Sequence, residues 1–188
     1  MNQNIRENNE RQAKEEYAII LDVLINNQSF KDSEVAQAIG TTSYTLLELV
    51  PKAGVILKTG QRVYIGEDKR EEIQYIKRAI TEDKLSGSAR TELLFTLTEI
   101  VQGKEDFFVN FINTAGPITI RKHSLESIPG IGKKHLRDLL DERDSKPFEN
   151  FENIKERCHF LADPAKSIAQ KILNEIEGTE EFKIFVRR

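Results

Sequence analysis

The segment Ile128-Pro129-Gly130-Ile131-Gly132-Lys133-Lys134 sets two glycines around one apolar residue and follows them at once with two lysines. The glycines let the backbone turn tightly and approach a ligand with no Cβ in the way. A helical periodicity begins at Lys133 and runs to about Arg143. Its start offers unpaired N–H groups and the positive end of the helix dipole. A phosphate is the natural ligand of such a corner. Gly130, Ile131, Gly132, Lys133 and Lys134 are therefore the first candidate anion-binding residues. Arg121 and Lys122, with His123, form a basic group just before the turn. The plainer alternative is that the glycines only let two helices approach closely and that Arg121 to His123 are a solvated face. Leu125, Ile128, Ile131, Leu136, Leu139 and Leu140 are the residues expected to pack those helices together.

Other chemistry is poorly represented. One cysteine, Cys158, and three histidines, His123, His135 and His159, give no metal-ligand spacing. Asp138, Asp141 and Asp144 fall in or at the end of the helix after the turn and read as solvated charges. No Ser-His-Asp order or Walker-type loop is present. A non-catalytic protein without a cofactor is expected. The single cysteine excludes an intramolecular disulfide and suits a cytoplasmic setting. A net charge of −3 means that any nucleic-acid binding must come from a local basic patch. No apolar run reaches the roughly 20 residues that span a bilayer, so no membrane partner is expected.

The elements that must position the turn can be read along the chain. Residues 1–14 are polar and read as a flexible tail. Residues 15–66 read as a β domain: a strand over Tyr17 to Ile25, a short helix over Ser33 to Ile39 ended by Gly40, a strand over Tyr44 to Val50, and a hairpin pairing Val55 to Leu57 with Arg62 to Ile65. Alternation puts Val63 and Ile65 inward and Arg62 and Tyr64 on the other face, where a cation beside an aromatic suits base stacking. Tyr17 and Tyr44 are candidates to join them. Residues 67–116 read as a helical connector, with Ile73, Ile76 and Ile80 on one helix, Leu93 to Val101 on a second and Phe107 to Ile112 on a third. Residues 117–178 hold the glycine turn and, after Lys146-Pro147-Phe148, a second helical pair capped at Asp163-Pro164. In residues 179–188, Phe182, Ile184 and Val186 alternate as a strand returning to the barrel would.

The glycine turn resembles the helix-hairpin-helix motif of nucleic-acid-binding proteins. That resemblance implies backbone amides holding a phosphate, and carbonyls of Glu126, Ile128 and Ile131 as candidate ligands of a monovalent cation. The second pair has lost both glycines at Leu161-Ala162-Asp163-Pro164 and is expected to be structural. DNA glycosylases share the Pro-Gly-Ile-Gly turn, but they need a catalytic Asp farther along the chain than Asp138 to Asp144.

Taken whole, Tyr17 to Val186 resembles an archaeal family, domain of unknown function 655. The resemblance rests on Glu16-Tyr17-Ala18-Ile19, Thr45 to Lys52, Arg62-Val63-Tyr64-Ile65-Gly66, Pro117-Ile118-Thr119, Leu125 to Lys134 and Lys146-Pro147-Phe148-Glu149. It implies an α+β fold: a small oligonucleotide/oligosaccharide-binding-like (OB-like) β-barrel, then helices and a tandem helix-hairpin-helix domain. It also implies nucleic-acid binding, RNA ahead of DNA, with no assigned enzymatic activity. The alternative is a protein-interaction module docking on a ribonucleoprotein or a ribosome-associated complex.

Overall fold

The structure is a computed structural model and describes residues 15–25 and 34–186. The expected tail over 1–14 and Ser33, where the expected short helix begins, lie outside those residues. Two compact units are formed. Among the described residues, one runs to Glu92 and takes in Phe185 and Val186; the other comprises Leu93–Ile184.

The first unit is a 5-stranded antiparallel sheet in the order β4-β1-β2-β3-β5, curled into an OB-like half-barrel. Its strands are β1 (Tyr17–Ile25), β2 (Glu34–Gly40), β3 (Leu46–Pro51), β4 (Arg62–Tyr64) and β5 (Ile73–Ala79). Ala18, Ile20, Ala36, Ala38, Leu47, Leu49, Val63, Ile65 and Ile73 fill its interior together with Leu57. These are the residues that a period of two sends to one face of each strand. The opposite face of β2 is buried as well. There Gln37 donates to the Lys84 carbonyl (2.9 Å) and accepts from the Ser86 amide (2.8 Å), so its buried amide is satisfied on both sides.

Three expectations for this region are corrected. The helix expected over Ser33 to Ile39 does not form among the described residues, since Glu34–Gly40 pairs with β1 on one side and with β3 on the other. Val55 to Leu57 forms no strand. The Lys58–Gln61 turn exists, closed by Gln61 N–H on the Lys58 carbonyl, but the chain after it pairs with β1 instead. The Ile20 carbonyl takes the Gly60 amide and the Ile20 amide reaches the Gln61 carbonyl, which commits β4 to that edge. Finally, Ile73–Ala79 is the edge strand β5, not a connector helix.

The second unit is mostly helical. Helix α1 (Gly87–Gln102) begins in the first unit, where Ser86 Oγ accepts the Ala89 amide (3.0 Å) and donates to Asp22 (2.6 Å). This is an N-cap held in place by the sheet. Helix α2 (Glu105–Thr114) follows, then a small hairpin of β6 (Pro117–Thr119) and β7 (Lys122–His123). A single 3-10 turn, Ser124–Ser127, leads through Pro129-Gly130 into α3 (Lys133–Ser145). Helices α4 (Phe151–Arg157) and α5 (Pro164–Glu177) are joined by a short turn, with the Asp163 carboxylate capping α5 at Lys166 N–H (2.9 Å) and Pro164 in its first turn. Among the described residues no helix is long and apolar enough to cross a membrane.

The C-terminal strand expected over Phe182 to Val186 is also corrected: no strand forms there. Side chains hold this segment instead. Lys171 and Glu175 of α5 are both fully buried. The Lys171 ammonium donates to the Phe182 carbonyl (3.0 Å) and pairs with Glu180 (2.8 Å) and Glu175 (3.5 Å). Glu175 accepts the Ile184 amide (2.9 Å). Partial burial pushes the Glu180 carboxyl up, but the Lys171 bond and charge, with Asn174 and Lys122, outweigh it and hold the group below the usual carboxylate range.

Candidate nucleic-acid interface

The turn takes its shape from Pro129 and Gly130. Ile131 N–H bonds to the Ile128 carbonyl (3.0 Å) across them, and Gly130 has φ +95°. Proline at the first central position and a left-handed glycine at the second make this a type II turn. A Cβ on Gly130 would only touch Leu161 at ordinary van der Waals distance, where the turn packs against the α4–α5 connection, so the positive φ and not a shortage of space calls for the glycine. Leu125, Ile128, Ile131 and Leu139 are buried as expected, while Leu136 and Leu140 are half-buried.

The candidate amides divide into two groups. Ile131 is buried and spends its N–H inside the turn, so it offers no donor to a ligand; this corrects its place among the binding residues. The amides of Gly130, Gly132, Lys133 and Lys134 have no acceptor among the described residues, and no side chain caps α3. Of the three carbonyls expected to hold a cation, that of Ile128 already accepts the Ile131 amide. His135 Nδ1 lies 2.9 Å from the Gly130 carbonyl, and its ring stacks on Phe160 at 4.4 Å. A carbonyl can only accept, so Nδ1 carries the hydrogen.

The side chains converge on one side of the turn. Thr119, Arg121, Lys122, Glu126, Lys133, Glu181 and Phe182 line a cleft of about 450 Å³. Three expected cations, Arg121, Lys122 and Lys133, thus share one concavity. Sequence reasoning missed Thr119, the Glu126 carboxylate, Glu181 and Phe182. Glu126 carried a legible signal, since it sits where a capping box places an acid. Its carboxylate accepts the His123 amide (2.8 Å), while His123 Nδ1 accepts the Leu125 amide (3.2 Å).

The His123 cap has a pH signature. Burial first, then the Arg143 charge, depresses the ring's pKa against a smaller opposing pull from Glu126. Below about pH 6.5 an unfolded histidine takes up a proton that the folded ring resists. Stability is therefore expected to be level above about pH 6.5 and to fall as pH drops from there toward the folded value. Denaturation midpoints of the protein and of His123→Asn, which can cap without titrating, should diverge only below that point. Parallel curves would remove His123 from the account.

Arg62 and Tyr64 belong to the other unit and form a separate cluster. The exposed Arg62 guanidinium lies 3.8 Å from the centroid of the Tyr17 ring, and Tyr64 meets Tyr17 edge-on at 5.3 Å. The Tyr64 ring folds back over Gly66, where a Cβ would collide with it, and its hydroxyl accepts the Asp68 amide (3.2 Å). Tyr44, expected to join them, is buried, with φ +59°. It is a turn residue, not part of an open stacking face.

No group of three or more His, Cys, Asp or Glu side chains that could hold a metal occurs among the described residues. Burial, with the nearby Glu142 charge, pushes the Cys158 thiol up to about 11, so it stays protonated and un-nucleophilic.

This chain and its fold have counterparts. A family model described as a protein of unknown function, DUF655, matches residues 14–187. The chain belongs to the DUF655 family. It is 37% identical over 179 residues to an uncharacterized protein, MJ0038, of Methanocaldococcus jannaschii, covering 95% of this chain and 82% of that one. It is also similar to the DUF655 crystal structure of Af1531 from Archaeoglobus fulgidus, with a TM-score of 0.85 and 33% identity, covering 92% of this chain and 100% of that one.

Proposed function

We propose that this DUF655 protein binds nucleic acid without catalysis, RNA ahead of DNA, by gripping backbone phosphate through a helix-hairpin-helix turn. One observation carries the reading. The amides of Gly130, Gly132, Lys133 and Lys134, without an acceptor among the described residues, stand in the turn and at the start of α3, and Lys133 shares a cleft with Arg121 and Lys122. Amides and a helix start bind phosphate oxygens, and the cations add screened attraction. Phosphate contacts position a ligand and carry no base information, so little sequence specificity is expected. The exposed Arg62 beside Tyr17 is a second place for a strand to rest.

The test is fluorescence anisotropy with labelled single- and double-stranded RNA and DNA, at low and at physiological salt. Binding is expected to weaken steeply as salt rises and to vary little with sequence. No binding at low salt would overturn the proposal. The second reading, docking on a protein partner in a ribonucleoprotein, is favoured by the exposed Phe95, Phe107 and Ile120. An association that survives nuclease would support it.

A further inference from the structure

The cleft beside the turn is not built for phosphate alone. Glu126 and Glu181 face into it beside Arg121, Lys122 and Lys133, and Phe182 supplies an aromatic wall. Two carboxylates repel a phosphate, but they accept hydrogen bonds from the amino groups and ring N–H groups on nucleobase edges. An aromatic ring offers a base a stacking face. At about 450 Å³ the cleft falls in the range of small-ligand pockets. The Lys122 ammonium lies over the Phe182 ring, 5.1 Å from its centroid, so a cation stands directly against the stacking ring. Base and phosphate are adjacent in a nucleotide in the same way.

The aromatic wall is held at considerable cost. Glu181 and Phe182 lie in a segment with no regular structure. The fully buried Lys171 bonds the Phe182 carbonyl and pairs with Glu180, and Glu175 takes the Ile184 amide. Burying a lysine and a glutamate is expensive unless geometry repays it. Here it fixes the two residues that complete the cleft. A site needs such a supporting layer to be preorganised.

From this juxtaposition we infer that the cleft is a subsite for one unstacked nucleotide of a single strand, resting on the phosphate-clamp reading above. The base stacks on Phe182 with its edge toward Glu126 and Glu181, and the adjoining phosphate lies by Arg121, Lys122 and Lys133. A paired base cannot reach the ring, so the preferred ligand is a single strand, a loop or a frayed end.

The experiment compares a single-stranded RNA, the same RNA with one abasic position, and a blunt duplex, each binding wild type, Phe182→Ala and Phe182→Tyr. Phe182→Ala is expected to weaken single-strand binding by about 5- to 100-fold, to leave duplex binding unchanged, and to abolish the difference between intact and abasic strands. Phe182→Tyr keeps the ring and is expected to bind as wild type. If Phe182→Ala binds the single strand as tightly as wild type, the subsite is wrong. The phosphate clamp would survive that result if Lys133→Glu/Lys134→Glu still weakens duplex and single strand alike. Capture of an acidic peptide in place of RNA, lost in Phe182→Ala, would overturn the nucleotide assignment in favour of a protein ligand.

Discussion

Lys171→Ala is expected to destabilise the protein by about 3–5 kcal/mol, among the largest effects of any single substitution, because it strands a buried carboxylate. Lys171 and Glu175 expose none of their side chains, and Glu180 exposes only 18%. With the ammonium gone, Glu175 keeps its bond from the Ile184 amide but loses its buried positive neighbour. The Phe182 carbonyl loses its donor as well. In a chain of this size such a loss should lower the melting temperature by roughly 6–20 °C. Removing both charges separates the penalty from the packing. Lys171→Met/Glu175→Leu is expected to recover most of the stability, since hydrophobic replacement of a buried pair is often neutral or better. The double variant also frees the segment that carries Phe182. Stability should therefore return while single-strand binding does not. Thermal and urea denaturation of the three proteins check this. A cost below about 1 kcal/mol for Lys171→Ala would mean that the network contributes little.

The same network explains why the C-terminal segment was illegible. Phe182, Ile184 and Val186 alternate as a strand does, yet the Phe182 carbonyl and the Ile184 amide are taken by Lys171 and Glu175. A backbone group spent on a side chain is not available to a ladder. A buried lysine in an otherwise regular amphipathic helix was the clue, and lysine is so rarely buried that it reads as surface. β2 misled for a different reason. Val35-Ala36-Gln37-Ala38-Ile39 is rich in good helix formers and ends in glycine, but pairing on both sides overrides local propensity. In β5 the isoleucines fall at helical spacing because the strand is an edge. Register shifts against β3 break its alternation, and only Ile73 is buried.

Much of the rest was legible because it is local. β1 follows from a run of apolar and β-branched residues, α1 from the Leu93 to Val101 stripe, and the α5 cap from Asp163-Pro164. The glycine turn is equally local, since proline and a left-handed glycine specify a type II turn wherever they occur. The cleft is not local. It joins a hairpin, a 3-10 turn, a helix start and a segment some fifty residues further on, and no spacing in the sequence brings Phe182 beside Lys122.

The last expected result sets stability against binding at one pair of residues. Lys133 and Lys134 occupy the first turn of α3, which contains no acidic residue. Cations there oppose the helix dipole, and each costs typically about 0.3–1 kcal/mol relative to an acid that would complement it. A sequence tuned for stability alone would place Asp or Glu at these positions. Lys133→Glu/Lys134→Glu is therefore expected to hold or raise the melting temperature while weakening nucleic-acid binding by about 10- to 100-fold near 50 mM salt. Two lost phosphate contacts should also flatten the plot of log affinity against log salt by about 1.8 for duplex or about 1.4 for single strand. The opposite signs matter, because a variant at least as stable as wild type cannot have lost binding by unfolding. Anisotropy titrations across a salt series, beside thermal melts of the same preparations, supply both readings. Unchanged affinity would remove the turn from the binding site and leave its glycines a packing role. A drop in stability would show that the lysines serve the fold, and that the open amides of α3 are not held in reserve for an anion.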